Sequence, residues 1–500
     1  MERCSGILMP VFSLPSPYGI GSFGRAAYAF ADFLRAAGQS LWQMLPMGPT
    51  SYGDSPYQSF STHAGNPYFI DLEALIEDGL LTEAEAAAHA WGDDPGRVDY
   101  GALYQGRFDV LAKAKARGWS RDASEVAAFE AENAGWLPDY ALFMALKRHF
   151  GMKAWTEWPE ADIRRHAPEA VARWRETLRE DVELFTYIQF LFFRQWKALK
   201  QYINGLGIRV VGDLPIYVAP DSADVWAEPA WFQLDAEGFP TEVAGVPPDY
   251  FSENGQLWGN PLYDYDVMRA DGYSWWIRRV AGVARLCDVV RIDHFRGFAD
   301  YWAIPAGEET AKNGRWVPGP GMDLVGRLIS WFPDLEFIAE DLGILGPEVA
   351  QLLRDSGLPG MKVLEFAFDS DEADDYRPHR YGQGCVCYTG THDNTTLSAW
   401  LAAAPEETLE RAKRYFGLNE EEGYGRGMLR GGMASVAQCF VAQMQDWLEL
   451  DDARINTPGT SMGNWTWRLL PGQLSESLAE EIREMTARYG RLPIQSSKGV

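Results

Sequence analysis

Eight short apolar runs are spaced along this chain, and five of them end in an acid that a buried strand would not carry without a reason. Asp293 interrupts Val289-Val290-Arg291-Ile292-Asp293-His294-Phe295, and Glu340-Asp341 closes Glu336-Phe337-Ile338-Ala339. Asp213 closes the run that starts at Ile208, and Asp393 follows Cys385-Val386-Cys387-Tyr388-Thr389-Gly390-Thr391-His392. A fifth run, Met361 to Asp369, lies between the last two of these motifs. Continuous apolar runs separated by helical stretches read as parallel strands buried on both faces. Acids at the carboxyl ends of such strands predict an α/β barrel with its chemistry at that rim.

Length alone allows one elaborated barrel or two to three domains. The spacing favours one catalytic unit over residues 1–500. Strand one is expected at Gly6 to Leu14, strand two at Leu41 to Met47, and strand three only at Ile208 to Val218. The intervening stretch is rich in Ala, Glu, Arg and Leu and predicts a helical subdomain over 72–178. Glu183 to Asn204 predicts a long amphipathic helix ended by Gly205, leading into strand three. Strands four to eight are expected near Val289, Glu336, Met361, Cys385 and Arg454, with a lid-like insertion over 219–288.

Composition narrows the partners. The net charge is −26 with no Lys/Arg-rich run, which excludes partners that require clustered positive charge, nucleic acid and anionic membrane. The 20 Trp, 22 Tyr and 25 Phe are more than a core needs and suit flat neutral ligands such as sugars, although many must simply pack. The N-terminus lacks a secretory apolar core, and no stretch approaches the roughly 18 apolar residues of a membrane span. The 5 cysteines are odd in number and scattered, with no CxxC pair and no zinc spacing, so the chain is expected to be cytoplasmic and reduced. There is no G-x-S-x-G elbow, Walker loop or H-E-x-x-H.

The loops that leave the strands carry the remaining signal. Gly48 to Gln58 holds two Gly and two Pro among hydrogen-bonding side chains, which makes a shaped loop. Gly245 to Glu253 leads into Gly255 to Tyr263, a turn-rich stretch suited to folding over a site, with Trp258 as a stacking platform; a structural loop packed on the barrel is the alternative. Asn456 and Asn464, in the segments past the last run, are neutral groups suited to hydroxyls.

At these residues the chain resembles the amylomaltases of glycoside hydrolase family 77, in the wider α-amylase clan. The matching motifs are GDSPYQ, GDLPIYV, GVPPDYFS, GQLWGNPLY, VRIDHFRG, AEDLG, YTGTHDN, and RINTPG with GNWTWR, in family order from Ser13 to Arg468. The resemblance implies a (β/α)8 TIM barrel with inserted subdomains and no required metal or organic cofactor. It implies a 4-α-glucanotransferase passing segments of α-1,4-glucans to another glucan or to glucose, with no nucleic-acid or membrane partner. An α-1,4-glucan hydrolase using the same acids is the alternative, and a non-enzymatic glucan-binding protein a third.

The resemblance also implies three catalytic carboxylates: Asp293 as nucleophile, Glu340 as acid/base and Asp393 as stabiliser of the distorted sugar. A retaining enzyme needs an acid and a nucleophile on either side of the glycosidic bond, and the acid must hold its proton near neutral pH. Arg291 shares a strand face with Asp293 and can keep it ionised, or form an ordinary barrel ion pair. His294 and His392 adjoin the acids as sugar-hydroxyl donors by resemblance; a structural histidine would look the same. Ser55, Tyr57, Asp213, Asp249, Glu253, Trp258, Asn260, Asp341, Phe366, Asn456 and Asn464 complete the expected substrate contacts. The chain departs from the family after Asn394, where Thr395-Thr396 follow directly and an acid common in relatives is absent. Met462 stands where some relatives carry a small polar residue. The strand-three motif ends Pro215-Ile216-Tyr217-Val218, without the Asn-His ending of α-amylases.

Overall fold

The computed structural model describes residues 2–51, 53–248, 252–343, 345–369, 375–460 and 462–493. Eight parallel strands form the barrel: β1 (Cys4–Leu8), β2 (Leu41–Gln43), β3 (Arg209–Leu214), β4 (Val289–Ile292), β5 (Glu336–Ala339), β6 (Gly360–Val363), β7 (Cys385–Tyr388) and β8 (Cys439–Gln443). The hydrogen-bonded order runs β6-β7-β8-β1-β2-β3-β4-β5. The seam between β5 and β6 is closed by Ala339 N donating to Pro359 O at 2.9 Å and by the Asp341 carboxylate, which accepts from Met361 N at 2.6 Å. A Cβ on Gly360 would stand 2.6 Å from Asp341 Oδ2, so this closure depends on glycine.

The expected barrel is present, and one strand lies elsewhere than its sequence position suggested. The eighth strand is Cys439–Gln443, wholly buried, and the stretch near Arg454 is a loop across the rim. The pattern of an acid at the strand end passes over β8 because this strand ends in Gln443; its acid, Asp446, follows on the next helical turn (Met444–Trp447). The other strands are shorter than their apolar runs, since the runs continue into the buried first turns of the following loops.

Between β2 and β3 the chain forms helices including Leu72–Glu77, Tyr100–Gly118, Leu137–His149 and the 27-residue Arg179–Gly205. Local chemistry starts the first two: Asp71 accepts from Ala74 N and Asp99 from Ala102 N, each satisfying an otherwise unpaired amide. The long helix packs its apolar face on Leu137–His149 and on β3. Its Phe185, Tyr187, Phe190 and Phe192 are core, while Tyr202 near its end is exposed.

A second, antiparallel sheet joins Gln256–Pro261, Glu242–Val246, Asp300–Pro305 and Arg315–Pro318. It therefore draws on residues well past the segment 219–288, whose last helix, Ser274–Leu286, packs on β3 and β4 as part of the barrel's outer layer. One continuous apolar core joins the barrel to the surrounding helices. Trp42, Trp158, Trp196, Trp226, Trp275, Trp276 and Trp447 are fully buried in it, so much of the aromatic excess is packing. No helix among the described residues is long and apolar enough to cross a membrane.

Candidate active site

The centre of the rim is built by β3, β4 and β5. Asp213 on β3 stands opposite Arg291 on β4, and Arg291 shares its strand face with Asp293 just past the strand end. Arg291 Nη1 donates to Asp213 Oδ1 and Oδ2 at 2.8 and 2.7 Å and to Asp293 Oδ1 at 3.0 Å. The guanidinium is buried, which works against its charge, but Asp213 and Asp293 outweigh burial and hold it well above the ordinary arginine range.

Glu340 is placed beside Asp293 by the ladder itself, because its amide donates to Ile292 O at 3.0 Å. Its carboxyl accepts from His294 N at 2.7 Å and from Leu342 N at 2.9 Å. Burial pushes it up to about 7, with Arg291 pulling it down and Asp293 adding to the rise. His294 takes a left-handed conformation, φ 48°, in the turn that presents this amide to Glu340. Non-glycine residues rarely adopt that region, and the strain sits at the junction of the two acids. The His294 imidazole is pushed down to about 4 by burial, so it is neutral at pH 7, and Trp258 meets it edge-on at 4.8 Å.

Asp393 stands across the rim in the turn after β7, with its side chain about half exposed. Asn456 Nδ2 donates to its Oδ1 at 2.6 Å, and His392 Nε2 lies 3.3 Å from the same oxygen. Arg454 donates to the Asp393 carbonyl oxygen at 2.6 Å, which is how the loop after β8 reaches the rim. Tyr57, from the loop after β2, connects the two halves. Its hydroxyl donates to Asp213 Oδ2 at 2.8 Å, and its ring stacks on His392 at 5.1 Å and 16°. The chain of contacts Asp293–Arg291–Asp213–Tyr57–His392–Asp393–Asn456 thus spans the rim.

The other residues singled out in the sequence lie away from this chain of contacts, several of them with hydrogen bonds to the framework. Asp341 is buried in the β5–β6 seam. Asn260 is buried, donating to Val218 O and accepting from Gln58. Asn464 ties its own loop, accepting from Thr457 N and donating to Thr460. Ser55 accepts from Tyr57 N and so shapes the turn that carries the tyrosine. Phe366 is half-buried edge-on to Tyr376, and Glu253 is exposed on a turn. Asp249 lies outside the described residues. Sequence reasoning missed Glu365, which is buried just past β6; the run from Met361 to Asp369 contains it, but the strand stops at Val363 and Asp369 is exposed.

The family model of glycoside hydrolase family 77, described as 4-alpha-glucanotransferase, matches residues 9–474. A 4-alpha-glucanotransferase from Thermus thermophilus is 48% identical over 505 residues, covering 98% of this chain and 100% of the relative. One from Clostridium butyricum is 46% identical over 486 residues, covering 97% and 100%. Among solved structures, the amylomaltase from Streptococcus agalactiae in complex with acarbose superposes with a TM-score of 0.96 at 41% identity, covering 98% of this chain and all of that one.

Proposed function

This chain belongs to glycoside hydrolase family 77, the 4-alpha-glucanotransferases, and from that premise we propose how its residues divide the transfer of α-1,4-glucan segments. Asp293 attacks C1 of the donor sugar while Glu340 gives its proton to the departing 4-oxygen. The glycosyl-enzyme on Asp293 is then attacked by the 4-hydroxyl of an acceptor, whose proton returns to Glu340. Two displacements at C1 retain the α configuration. Arg291 orients Asp293, and Asp393, braced by Asn456, holds ring hydroxyls more strongly in the oxocarbenium-like transition state than in the ground state. His294, His392 and Tyr57 line the sugar between the two halves.

The observation that carries the reading is Glu340, an acid raised to about 7 and tied through Ile292 O and His294 N to the turn that bears Asp293. An acid/base must hold a proton for the first step and release it readily, and a value near the working pH does both. Free glucose is the smallest acceptor expected, since it offers the same 4-hydroxyl. The second sheet forms the lid: Trp258 faces His294 and shields the intermediate from water. We also take the whole chain as one catalytic unit with a helical insertion over 72–178. Its five cysteines are buried and none is joined in a disulfide, which favours a reducing compartment such as the cytoplasm.

The test is incubation with pure maltotriose while counting reducing ends. Transfer gives glucose and a ladder of longer chains at constant reducing-end number. Trp258→Ala is expected to raise the hydrolytic share without melting the protein. A steady rise of reducing ends in the wild type, matching bond cleavage, would make water the preferred acceptor and end the reading.

A further inference from the structure

Behind the Asp393 turn lies a buried acid that the reaction does not use. Glu365 is 3% exposed, and its amide donates to Thr389 O at the base of the turn. Asn394 accepts from both Thr391 N and Thr391 Oγ1 through its Oδ1, each at 2.9 Å, which leaves its Nδ2 as the group it can offer to Glu365 beside it; Asn394 Cβ and Glu365 Oε1 each lie 2.9 Å from where a Cβ on Gly390 would stand. Thr391 Oγ1 in turn accepts from Asp393 N at 3.2 Å. Hydrogen bonds therefore connect Asn394 through Thr391 to the backbone of Asp393, and Glu365 stands at the Asn394 end of this relay.

The relay has a missing donor. Glu365 Oε1 and Gln443 Oε1 are both buried acceptors with no donor among the described residues. The two side chains meet at Gly390: a Cβ there would stand 2.9 Å from Glu365 Oε1 and 3.0 Å from Gln443 Nε2, the amide that itself donates to Thr395 O. Among the described residues no cation forms an ion pair with Glu365; Asp446 and Asp369 oppose a negative charge there, and Arg454 favours it. Asp446 is occupied by Thr389 Oγ1 and Leu397 N. Two orphaned buried acceptors on side chains that meet at one glycine cost free energy, whereas one proton between them would satisfy both.

We propose that Glu365 works as a neutral carboxylic acid, donating to Gln443 and accepting from Asn394, and that it is the positioning residue for the turn that carries Asp393. The proposal deepens the reading of Asp393 as the ring-stabilising acid and rests on it for its kinetic consequence alone. Burial, reinforced by Asp446, pushes Glu365 well above the usual carboxylate range, in the same direction.

The test uses Glu365→Gln and Glu365→Leu in the full chain. Glutamine can reproduce both hydrogen bonds, so E365Q should stay within about threefold of wild type in kcat, while E365L leaves Gln443 and Asn394 unpaired and should lose about 10- to 100-fold. That loss should fall on kcat, with KM little changed, and be equal on maltotriose and on an activated glucosyl fluoride. Infrared spectroscopy supplies an independent readout. At about pH 8, above the values of about 7 for Glu340 and about 6 for Asp446, a protonated-carboxyl band should persist in the wild type and vanish in E365Q. Absence of that band overturns the proposal, as does an E365Q defect as deep as that of E365L. If E365L fails to fold, E365Q and the band still decide. If the band and E365Q behave as stated but E365L spares the activated donor, Glu365 is a neutral acid whose turn does not serve ring stabilisation, and the role of Asp393 fails instead.

Discussion

The two halves of the rim are built on different physical chemistry. On the β3–β5 side, Asp213, Arg291, Asp293 and Glu340 form a charged cluster in which one guanidinium serves two carboxylates and a third acid is raised by burial. On the β7–β8 side, Asp393 is half exposed and is braced by the Asn456 amide and His392, with Arg454 reaching only its backbone. The first arrangement sets charge and proton position, which making and breaking a bond at C1 requires. The second sets direction, through contacts that can adjust as the ring flattens. Replacements on the charged side should therefore remove a chemical step, and replacements on the neutral side should weaken a fit.

The largest effect tests the charged side directly. Asp293→Asn keeps one acceptor for Arg291 but removes the nucleophile, so activity on every donor should drop to background. Intact-mass spectrometry after mixing with an α-glucosyl fluoride should show no sugar adduct. An adduct on this variant would move the nucleophile elsewhere and break the contrast.

Glu340→Gln comes next. Loss of general acid catalysis costs about 10²–10⁴-fold on natural glucans, yet fluoride leaves without protonation. The variant should form the glycosyl-enzyme from the fluoride donor and then stall, because the same residue must accept the acceptor's proton. In the wild type, kcat/KM should fall as pH rises through about 7, where the free enzyme's acid loses its proton, and in E340Q that limb should be absent. A defect equally deep on activated and natural donors would remove Glu340 from the acid/base role.

The neutral side should respond more mildly. Asn456→Ala deletes one hydrogen bond to Asp393, worth about 0.5–1.5 kcal/mol or up to about tenfold in rate. Because ring stabilisation is needed whatever leaves, the loss should be the same for maltotriose and for glucosyl fluoride. A selective loss on maltotriose would show that this side also assists departure of the leaving group, and the division between the halves would blur.

The same contrast explains how far the site was legible in the sequence. On the charged side each acid directly follows or closes its strand, so Asp213, Asp293 and Glu340 announce themselves by interrupting apolar runs. Asp393 lies five residues beyond β7 and was visible through its motif. Tyr57 joins the halves from a loop distant in sequence, and the spacing of its own loop says nothing of that reach. Strand β8 was misplaced because Gln443 ends it where five of the other runs offered an acid. Asn260, Asn464 and Asp341 look like substrate contacts in the sequence, since the amide or carboxylate that would bind a hydroxyl is the same group that ties a loop's backbone. Only the fold shows that they also pair with Val218 O, Thr457 N and Met361 N.

The smallest effect is on stability and arises from the same acid that drives the chemistry. Glu340 ordinarily titrates near 4.5 and is raised to about 7 in the folded protein. Between those values the folded state binds more protons than the unfolded chain, so ionising this group costs the fold as pH rises through that window. Below about 4.5 the acid is protonated in both states and its contribution is fully present; above about 7 it is lost. Glutamine cannot ionise, and its oxygen can still accept from His294 N or Leu342 N. Glu340→Gln should therefore melt a little above the wild type at pH 8, by about 1–3 °C for a chain this long, and the gap should close as the pH is lowered to 5. The check is a pair of thermal scans at the two pH values on both proteins. An E340Q melting point equal to or below the wild type at pH 8 would mean that the amide contacts to the carboxylate outweigh burial, and that the charged half of the rim holds its acid without strain on the fold.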